Sequence, residues 1–230
     1  MVSDAHKTAC RKIGEEGIVL LQNNANLLPI NLSKVKRIAV IGENAIKMMT
    51  VGGGSSSLKV KYEVTPLEGL KKRIGEQAEI IYARGYVGDP TGEYNGVKTG
   101  QNLKDDRSPK ELRTEALQVA SNADIVLFIG GLNKSEYQDC EGTDRKTMDL
   151  PYNQNELIMD LLQVNKKLVV INISGTGVAM PWKNHVSTIL QAWYLGSETG
   201  NALASILMGD VNPSGKLPYT YYACLNQCGA

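Results

Sequence analysis

Short, uninterrupted apolar runs recur along the chain, and polar or glycine-rich segments separate them. Apolar runs of this kind, without polar alternation, are typical of strands that are buried on both faces of a sheet. The pattern predicts strands at 37–42, 79–83, 124–130, 168–173 and 188–193. A sheet built from these strands would have to be covered on both sides.

The segments between these runs carry helix signals. Apolar residues at four-residue spacing predict a helix over 4–17, with Asp4 at the position of an N-cap. A capping box with proline at the first helical position predicts two further helices, which begin at Thr65 and at Ser108. The remaining predicted boundaries are an N-cap at Asn153 and helix ends at Gly75 and Gly209.

Strands and helices alternate along the chain, which is the pattern of an α/β fold. We predict a three-layer sandwich in which helices cover both faces of a mostly parallel, doubly wound sheet of about five or six strands. With right-handed crossovers, most of the loops that follow these strands emerge along one edge, where ligand crevices form in open α/β sheets. The segment 85–107 shows neither period and is predicted to be a long surface excursion.

Composition narrows the classes of function. The 230 residues carry 25 basic and 24 acidic side chains, a balance that argues against nucleic acid as a partner. No apolar stretch approaches the roughly 20 residues that cross a bilayer, and the first residues lack the apolar centre of a signal peptide, so no membrane partner is expected. The four cysteines have no zinc spacing, and nucleotide-binding motifs are missing, so we expect no metal and no cofactor.

The loop after the strand at 124–130 carries the first candidate chemistry. Residues 139–145 read Asp-Cys-Glu-Gly-Thr-Asp-Arg. Glu141 has carboxylates nearby that could raise its pKa and make it a proton donor. A solvated acidic loop explains the same residues, because one carboxylate does not make an active site.

The glycine- and serine-rich run 52–57 is the second candidate. Glycine lets the backbone approach a ligand closely, so Gly53, Gly54 and Ser55 are candidate substrate-binding residues. A flexible turn is the alternative interpretation of this run. A serine nucleophile at Ser174 is not expected, since the glycine that a nucleophile elbow needs two residues earlier is missing.

Ordered motifs along nearly the whole chain resemble one known family. They begin with Glu-Gly-Ile-Val-Leu-Leu-Gln-Asn at 16–23 and Asn-Leu-Leu-Pro at 26–29. The others lie at 38–42, 52–56, 65–70, 141–145, 149–151, 153–157, 191–194, 200–204 and 209–218. Together they are similar to the C-terminal domain of glycoside hydrolase family 3. The enzymes of that family are retaining, exo-acting β-glycosidases, among them β-glucosidases and β-xylosidases.

The resemblance implies a role for Glu141. In the family, the general acid/base glutamate often lies in a Glu-Gly-x-Asp-Arg segment of this domain, and this segment matches residues 141–145. The family's loop varies in length, so Asp139 and Glu136 are alternative acid/base residues. Asp144 and Arg145 are expected to form a structural pair that shapes the loop. The family's nucleophile is an aspartate of a preceding (β/α)8 barrel, so no nucleophile is expected in this chain.

The resemblance also implies that residues 1–230 are an excised domain of a longer enzyme. The expected partners are a β-glucoside, β-xyloside or oligosaccharide substrate and the missing N-terminal barrel of the same polypeptide. The parent enzyme is expected to be periplasmic or secreted, and this chain alone is expected to be inactive. The alternative function is a non-catalytic carbohydrate-binding α/β module, in which Trp193 and Tyr194 would stack on sugar; a core position for Trp193 explains the same sequence.

Overall fold

The structure is a computed structural model that describes residues 2–50, 58–88, 93–94 and 97–228. Within these residues the α-helices are α1 (Asp4–Gly17), α2 (Pro66–Ile74), α3 (Pro109–Ser121), α4 (Gln154–Val164) and α5 (Thr199–Met208). The strands are β1 (Val19–Asn23), β2 (Arg37–Ile41), β3 (Glu79–Ala83), β4 (Glu93–Tyr94), β5 (Val97–Lys98), β6 (Ile125–Gly131), β7 (Leu168–Ile173) and β8 (Thr188–Gln191). No helix in these ranges is long and apolar enough to cross a membrane.

The described strands form a six-stranded sheet in the order β1–β8–β7–β6–β2–β3, and β4 and β5 pair separately. All neighbours from β8 to β3 are parallel, whereas β1 is antiparallel to β8. The predicted strands at 79–83 and 168–173 have the observed bounds, and the others differ by one or two residues at their ends. The predicted α/β class and the mostly parallel sheet are confirmed.

Each central strand is buried on both faces because its side chains alternate between two apolar clusters. In β2, Ile38 and Val40 belong to the cluster that includes α2 and α5. Ala39 and Ile41 belong to the cluster that includes α3 and α4. This two-sided burial is the physical reason for the continuous apolar runs in the sequence.

The two predicted capping boxes are present at the starts of α2 and α3. The hydroxyl of Thr65 accepts from the Glu68 amide while the Glu68 carboxylate accepts from the Thr65 amide. Ser108 and Glu111 repeat the arrangement. Each box satisfies backbone donors that have no partner inside the helix, which fixes where the helix begins.

Two predicted caps differ from the structure in their details. Helix α1 is capped by Ser3, whose hydroxyl accepts from the His6 amide, and Asp4 is the first helical residue. The prediction of Asp4 as the cap is therefore wrong by one residue. Asn153 does precede α4, but its backbone is left-handed (φ 56°) and its side chain makes no capping hydrogen bond.

Strand β1 is missing from the predicted set because its apolar run continues directly from helix α1. It lies at the sheet edge and pairs with β8, with a register shift between Leu20 and Gln22. The Gln22 side chain donates to the carbonyl oxygens of Lys183 and Val186. These bonds attach the edge strand to the loop before β8. The register shift interrupts the strand period, so the strand was not recognised from its sequence.

The segment after β3 is only in part a surface excursion. Tyr86 and Leu103 are buried, with 6% and 7% of their surface exposed. The Asp105 carboxylate lies 3.6 Å from the guanidinium of Arg84, which is itself buried. The predicted surface position is wrong for these residues, because buried residues so widely spaced in the sequence produce no helix or strand period.

Candidate active-site loop

Three loops start side by side at the carboxyl edge of the sheet, because β6, β7 and β8 are parallel neighbours. We call residues 132–153 the β6–α4 loop and residues 174–187 the β7–β8 loop. The third loop, residues 192–198, follows β8. All three predicted acid/base candidates lie in the β6–α4 loop, at the edge where the sequence places them.

Asp139 attaches the β6–α4 loop to the ends of the two neighbouring strands. Its Oδ2 accepts from the backbone N–H of Gly175 at 2.6 Å and from the hydroxyl of Tyr194 at 2.8 Å. Its Oδ1 accepts from the hydroxyl of Thr176. The amide of Asp139 donates to the carbonyl oxygen of Asn133 at 3.0 Å. Both carboxylate oxygens are thus engaged as acceptors.

A second attachment follows further along the same loop. Arg145 donates from Nη2 to the carbonyl oxygen of Gly177 in the β7–β8 loop. The amide of Ala179 donates to the carbonyl oxygen of Met148 at 2.8 Å. Arg145 therefore shapes the loop through a backbone carbonyl, while Asp144, its expected partner, is exposed.

Glu141 is exposed and lies between these two attachments. The turn that carries it is closed by Thr143, whose hydroxyl accepts from the Tyr137 amide at 3.0 Å and contacts the Cys140 thiol at 3.0 Å. Gly142 has φ +89°, and a Cβ added there would meet nothing within 4 Å. The glycine lets the chain reverse just after Glu141.

Glu136 is exposed on a separate turn. The amide of Gln138 donates to the Ser135 carbonyl oxygen at 3.1 Å, which closes this turn. The Gln138 side chain then donates to the hydroxyl of Tyr152 at 2.6 Å. Asp139 lies between the turn of Glu136 and the turn of Glu141, and the bond from the Tyr137 amide to the Thr143 hydroxyl joins the two turns.

Lys134 adds a positive charge beside the Asp139 attachment. Its Nζ lies 3.7 Å from the centroid of the Tyr194 ring, within the range of a cation–π contact. Burial lowers the pKa of Lys134, and the nearby charge of Asp139 opposes that shift. Tyr194 therefore holds the loop in two ways, through its ring face and through its hydroxyl.

Trp193 contacts Tyr219 of the C-terminal segment, and Tyr219 in turn contacts the β7–β8 loop. The indole of Trp193 donates to the carbonyl oxygen of Gly17 at 2.8 Å and packs edge-on against Tyr219, at 6.0 Å between ring centroids. The Tyr219 hydroxyl donates to the Gly175 carbonyl oxygen at 2.8 Å, and its ring stacks on Tyr221. These contacts engage the Trp193 ring within the protein.

Two buried side-chain amides, those of Asn172 and Gln191, bond to Ser174, the residue that precedes Gly175. The Asn172 side chain donates to Gln191 Oε1 at 2.6 Å and to Ser174 Oγ at 2.9 Å, and Gln191 donates to the Ser174 carbonyl oxygen at 2.8 Å. All three side chains belong to residues that are at most 1% exposed. This packing gives Ser174 a structural role and a fixed position at the start of the β7–β8 loop.

The remaining predicted site residues, Gly53, Gly54 and Ser55, lie outside the described residues. Across the described ranges, no group of three or more His, Cys, Asp or Glu side chains is arranged to hold a metal ion. The four cysteines are free thiols.

Sequence reasoning did not find the partners of Asp139. Thr176 stands in a Ser-Gly-Thr-Gly turn directly after β7, and Tyr194 follows β8 at the same edge. The sequence places both residues in loops at the carboxyl edge of the sheet. Nothing in the local sequence indicates that either side chain would bond to Asp139. Lys134 and Tyr219 were missed for the same reason.

The fold and the loop define a doubly wound α/β domain that presents a carboxylate at the carboxyl edge of its sheet. Residues 18–229 match the family model of the glycosyl hydrolase family 3 C-terminal domain. The chain therefore belongs to the glycosyl hydrolase family 3 C-terminal domain family.

Curated and solved relatives agree with this assignment. The chain is 44% identical, over 236 aligned positions, to a β-glucosidase of Bacteroides ovatus, and the match covers 100% of this chain and 30% of that protein. It is 34% identical, over 233 positions, to a periplasmic β-glucosidase of Salmonella typhimurium, covering 98% of this chain and 30% of that protein. The solved β-glucosidase of Erythrobacter marinus superposes with a TM-score of 0.84 at 34% identity, covering 99% of this chain and 31% of that one.

Proposed function

We propose that residues 1–230 are the acid/base-bearing domain of a retaining, exo-acting β-glycosidase that hydrolyses terminal β-linked glucosides or xylosides. The chain spans about 30% of the length of its relatives named β-glucosidase. The proposed partner is therefore a (β/α)8 barrel of the same polypeptide, which would supply the nucleophile and most of the sugar pocket. The relative named periplasmic supports a periplasmic or secreted location for the whole enzyme.

The observation that carries the proposal is the placement of Glu141. It is exposed within the Glu-Gly-x-Asp-Arg match, at the carboxyl edge of the sheet, between the attachments made by Asp139 and Arg145. A general acid must reach a glycosidic oxygen presented by another domain, and an exposed carboxylate on a fixed loop meets that need.

The hydrogen bonds of Asp139 argue against Asp139 as the acid. A protonated acid has one O–H to donate, whereas both oxygens of Asp139 accept hydrogen bonds from three protein donors. To act as the acid, Asp139 would have to leave these partners. Glu136 is exposed as well, and it remains the alternative that experiment has to exclude.

In the proposed reaction, the barrel aspartate attacks the anomeric carbon while Glu141 protonates the departing oxygen. The products of this step are a covalent glycosyl-enzyme and the released alcohol. Glu141, now a carboxylate, then removes a proton from water as the water attacks the anomeric carbon and releases the sugar. A retaining mechanism requires the two carboxyl groups to lie about 5 to 5.5 Å apart, so Glu141 has to approach the barrel closely.

The test is a set of alanine variants in the full-length enzyme. Glu141→Ala should lower turnover of alkyl glycosides, which need acid assistance, by about 10² to 10⁴-fold. Azide should restore turnover of substrates with good leaving groups and yield a glycosyl azide. The control is Glu76→Gln. Glu76 is exposed, lies in the turn before β3 and is away from the carboxyl edge, so its replacement should change neither the turnover of alkyl glycosides nor that of substrates with good leaving groups.

Two further variants decide the position of the acid. Asp139→Ala and Glu136→Ala should show no azide rescue. If either variant shows the rescue pattern and Glu141→Ala does not, the assignment of Glu141 is wrong. If none of the three variants depends on the leaving group, the acid/base residue is none of these three candidates.

A further inference from the structure

We infer that Asp139 is the positioning residue for Glu141, and that it acts through a fixed anchor made by Gly175, Thr176 and Tyr194. The inference rests on the proposed function of Glu141. It assigns Asp139 no proton transfer and no contact with the substrate. Its role is to hold the turn of Glu141 at one distance from the sheet edge.

The anchor joins three parts of the chain at a single carboxylate. Asp139 comes from the β6–α4 loop, Gly175 and Thr176 from the first residues after β7, and Tyr194 from the segment after β8. The strands that carry these donors are buried parallel neighbours, and the donors lie within three residues of the strand ends. The anchor is therefore mounted at the ends of two buried strands, which suits a site that needs accurate placement.

Two of the donors have close neighbours of their own, although the anchor lies at the surface, where Gly175 and Thr176 are exposed. A Cβ added at Gly175 would lie 3.2 Å from the Tyr194 ring and 3.6 Å from Asp139 Oδ2. The ring of Tyr194 is covered on one face by the Nζ of Lys134, at 3.7 Å. These two donors to Asp139 are thus held by their own neighbours as well as by the carboxylate.

Only Cys140 separates Asp139 from Glu141. A residue adds at most about 3.6 Å to the reach of an extended chain, so the backbone of Glu141 stays within about 7 Å of that of Asp139.

Without the side-chain bonds of Asp139, the N-terminal side of the turn would be held by the bond from the Asp139 amide to Asn133 and by that from the Tyr137 amide to Thr143. Its C-terminal side would stay attached through Arg145. A misplacement of about 1 Å at a catalytic group can cost about 10²-fold in rate, so the loss of the anchor should be visible in kinetics.

The first measurement is kinetic and uses the full-length enzyme. Asp139→Asn keeps the shape of the side chain but replaces one acceptor oxygen by an NH2 group, which then faces either the Thr176 hydroxyl or the Gly175 amide and the Tyr194 hydroxyl. We expect kcat for alkyl glycosides to fall about 10²-fold, with KM changed less than threefold and without azide rescue. The pH dependence assigned to Glu141 should keep its shape, because the acid itself is still present. Asp149→Asn, an exposed aspartate in the same loop, is the control and should leave kcat unchanged.

A double-mutant cycle tests whether Tyr194 acts through Asp139. Tyr194→Phe removes one of the three donors and should reduce kcat by a smaller factor than Asp139→Asn. In the Asp139→Ala background, Tyr194→Phe should cost less than twofold further, since its partner is already absent. Full additivity of the two changes would overturn the inference. Because Tyr194→Phe and Thr176→Val each remove a single donor, they serve as milder variants if Asp139→Asn does not fold.

The second measurement is amide hydrogen exchange, which reports on the structure of the loop independently of activity. Amide hydrogen exchange in this chain should become at least tenfold faster in Asp139→Asn at Gly175, whose amide donates to the Asp139 carboxylate, and at residue 139, whose amide donates to Asn133. Exchange at both amides should stay unchanged in Glu141→Gln. If exchange and kcat in Asp139→Asn both match the parent, the positioning role is overturned while the role of Glu141 stands. If Glu141→Ala has no effect but exchange rises in Asp139→Asn, the proposed function fails and the anchor remains. Azide rescue in Asp139→Ala would identify Asp139 as the acid and overturn the inference.

Discussion

Glu43 and Lys47 form an ion pair inside the protein, with 2.9 Å between Oε1 and Nζ and side chains that are 1% and 0% exposed. The second oxygen of Glu43 accepts from Arg84 Nη2 at 2.7 Å and from the Gly88 amide at 2.6 Å. One carboxylate therefore pairs with two buried cations and ties the loop after β2 to the segment after β3, and Asp105, 3.6 Å from Arg84, adds a second negative charge. This cluster is next to the glycine- and serine-rich run in sequence.

The first prediction concerns this cluster. Glu43→Gln should lower the free energy of unfolding by about 3 to 5 kcal/mol, because Lys47 and Arg84 would lose the charge that compensates them in the interior. Urea denaturation of the two proteins measures the difference. The control is Glu16→Gln, which removes a pair with Lys12 that is 3.8 Å long and has side chains 62% and 72% exposed. The control should change stability by less than about 0.5 kcal/mol, and equal losses in both variants would contradict the prediction.

The second prediction concerns acid stability. The hydrogen bonds from Arg107 hold the pKa of Asp105 well below its usual range, against the opposing effect of burial, and Arg84 adds to the effect. The folded state thus binds this proton less readily than the unfolded state, whose pKa is about 3.9. The stabilisation is present above about pH 4 and is lost as the pH falls further towards the folded pKa.

The loss caused by Asp105→Asn should therefore be largest at neutral pH and shrink as the pH falls below about 4. Chemical denaturation at a series of pH values measures this difference. Asp106→Asn is the neighbouring control, since Asp106 is 83% exposed and pairs with Lys104 at the surface. A constant difference between the parent and Asp105→Asn across this pH range would show that the carboxylate charge contributes nothing.

The third prediction concerns the contact between α2 and α5. A Cβ added at Gly69 would lie 2.1 Å from the backbone of Gly200, closer than any side-chain atom can approach. Replacement of glycine by alanine favours an isolated helix by up to about 1 kcal/mol, but here the two helices would have to separate. Gly69→Ala should therefore destabilise the fold by about 1 to 3 kcal/mol in thermal or urea denaturation. The control is Lys72→Ala, on the exposed face of α2, which should change the free energy of unfolding by less than about 0.5 kcal/mol. If Gly69→Ala leaves the free energy of unfolding unchanged, the two helices are not in close contact.

The fourth prediction is that this chain, folded by itself, hydrolyses no glycoside. A retaining mechanism needs carboxylates on both sides of one anomeric centre, and the proposed domain supplies only the acid/base residue. General acid catalysis contributes about 10² to 10⁴-fold, which is small beside the 10⁶-fold or more of a typical enzyme. Purified chain should not release p-nitrophenol from p-nitrophenyl β-glucoside or β-xyloside. Turnover that survives repurification and disappears in Glu141→Gln would place a second catalytic group within these residues.

The sequence by itself determined the features that depend on near neighbours. The capping boxes at Thr65 and Ser108 were readable because each involves groups only three residues apart. The central strands were readable because burial on both faces produces continuous apolar runs. The ordered motifs along the chain likewise identified the family, and the match over residues 141–145 made Glu141 the acid/base candidate.

The tertiary structure alone decided how distant charges are arranged. Asp139 was visible in the sequence only as an alternative acid, because its partners Thr176 and Tyr194 lie 37 and 55 residues away. Glu43 and Arg84, 41 residues apart, gave no local sign of a buried ion pair. Helix and strand signals act over a few residues, whereas the environment of a carboxylate depends on which strand ends the sheet brings together. For that reason the sequence identified the residue that we propose as the acid, and the fold showed what holds its loop in place.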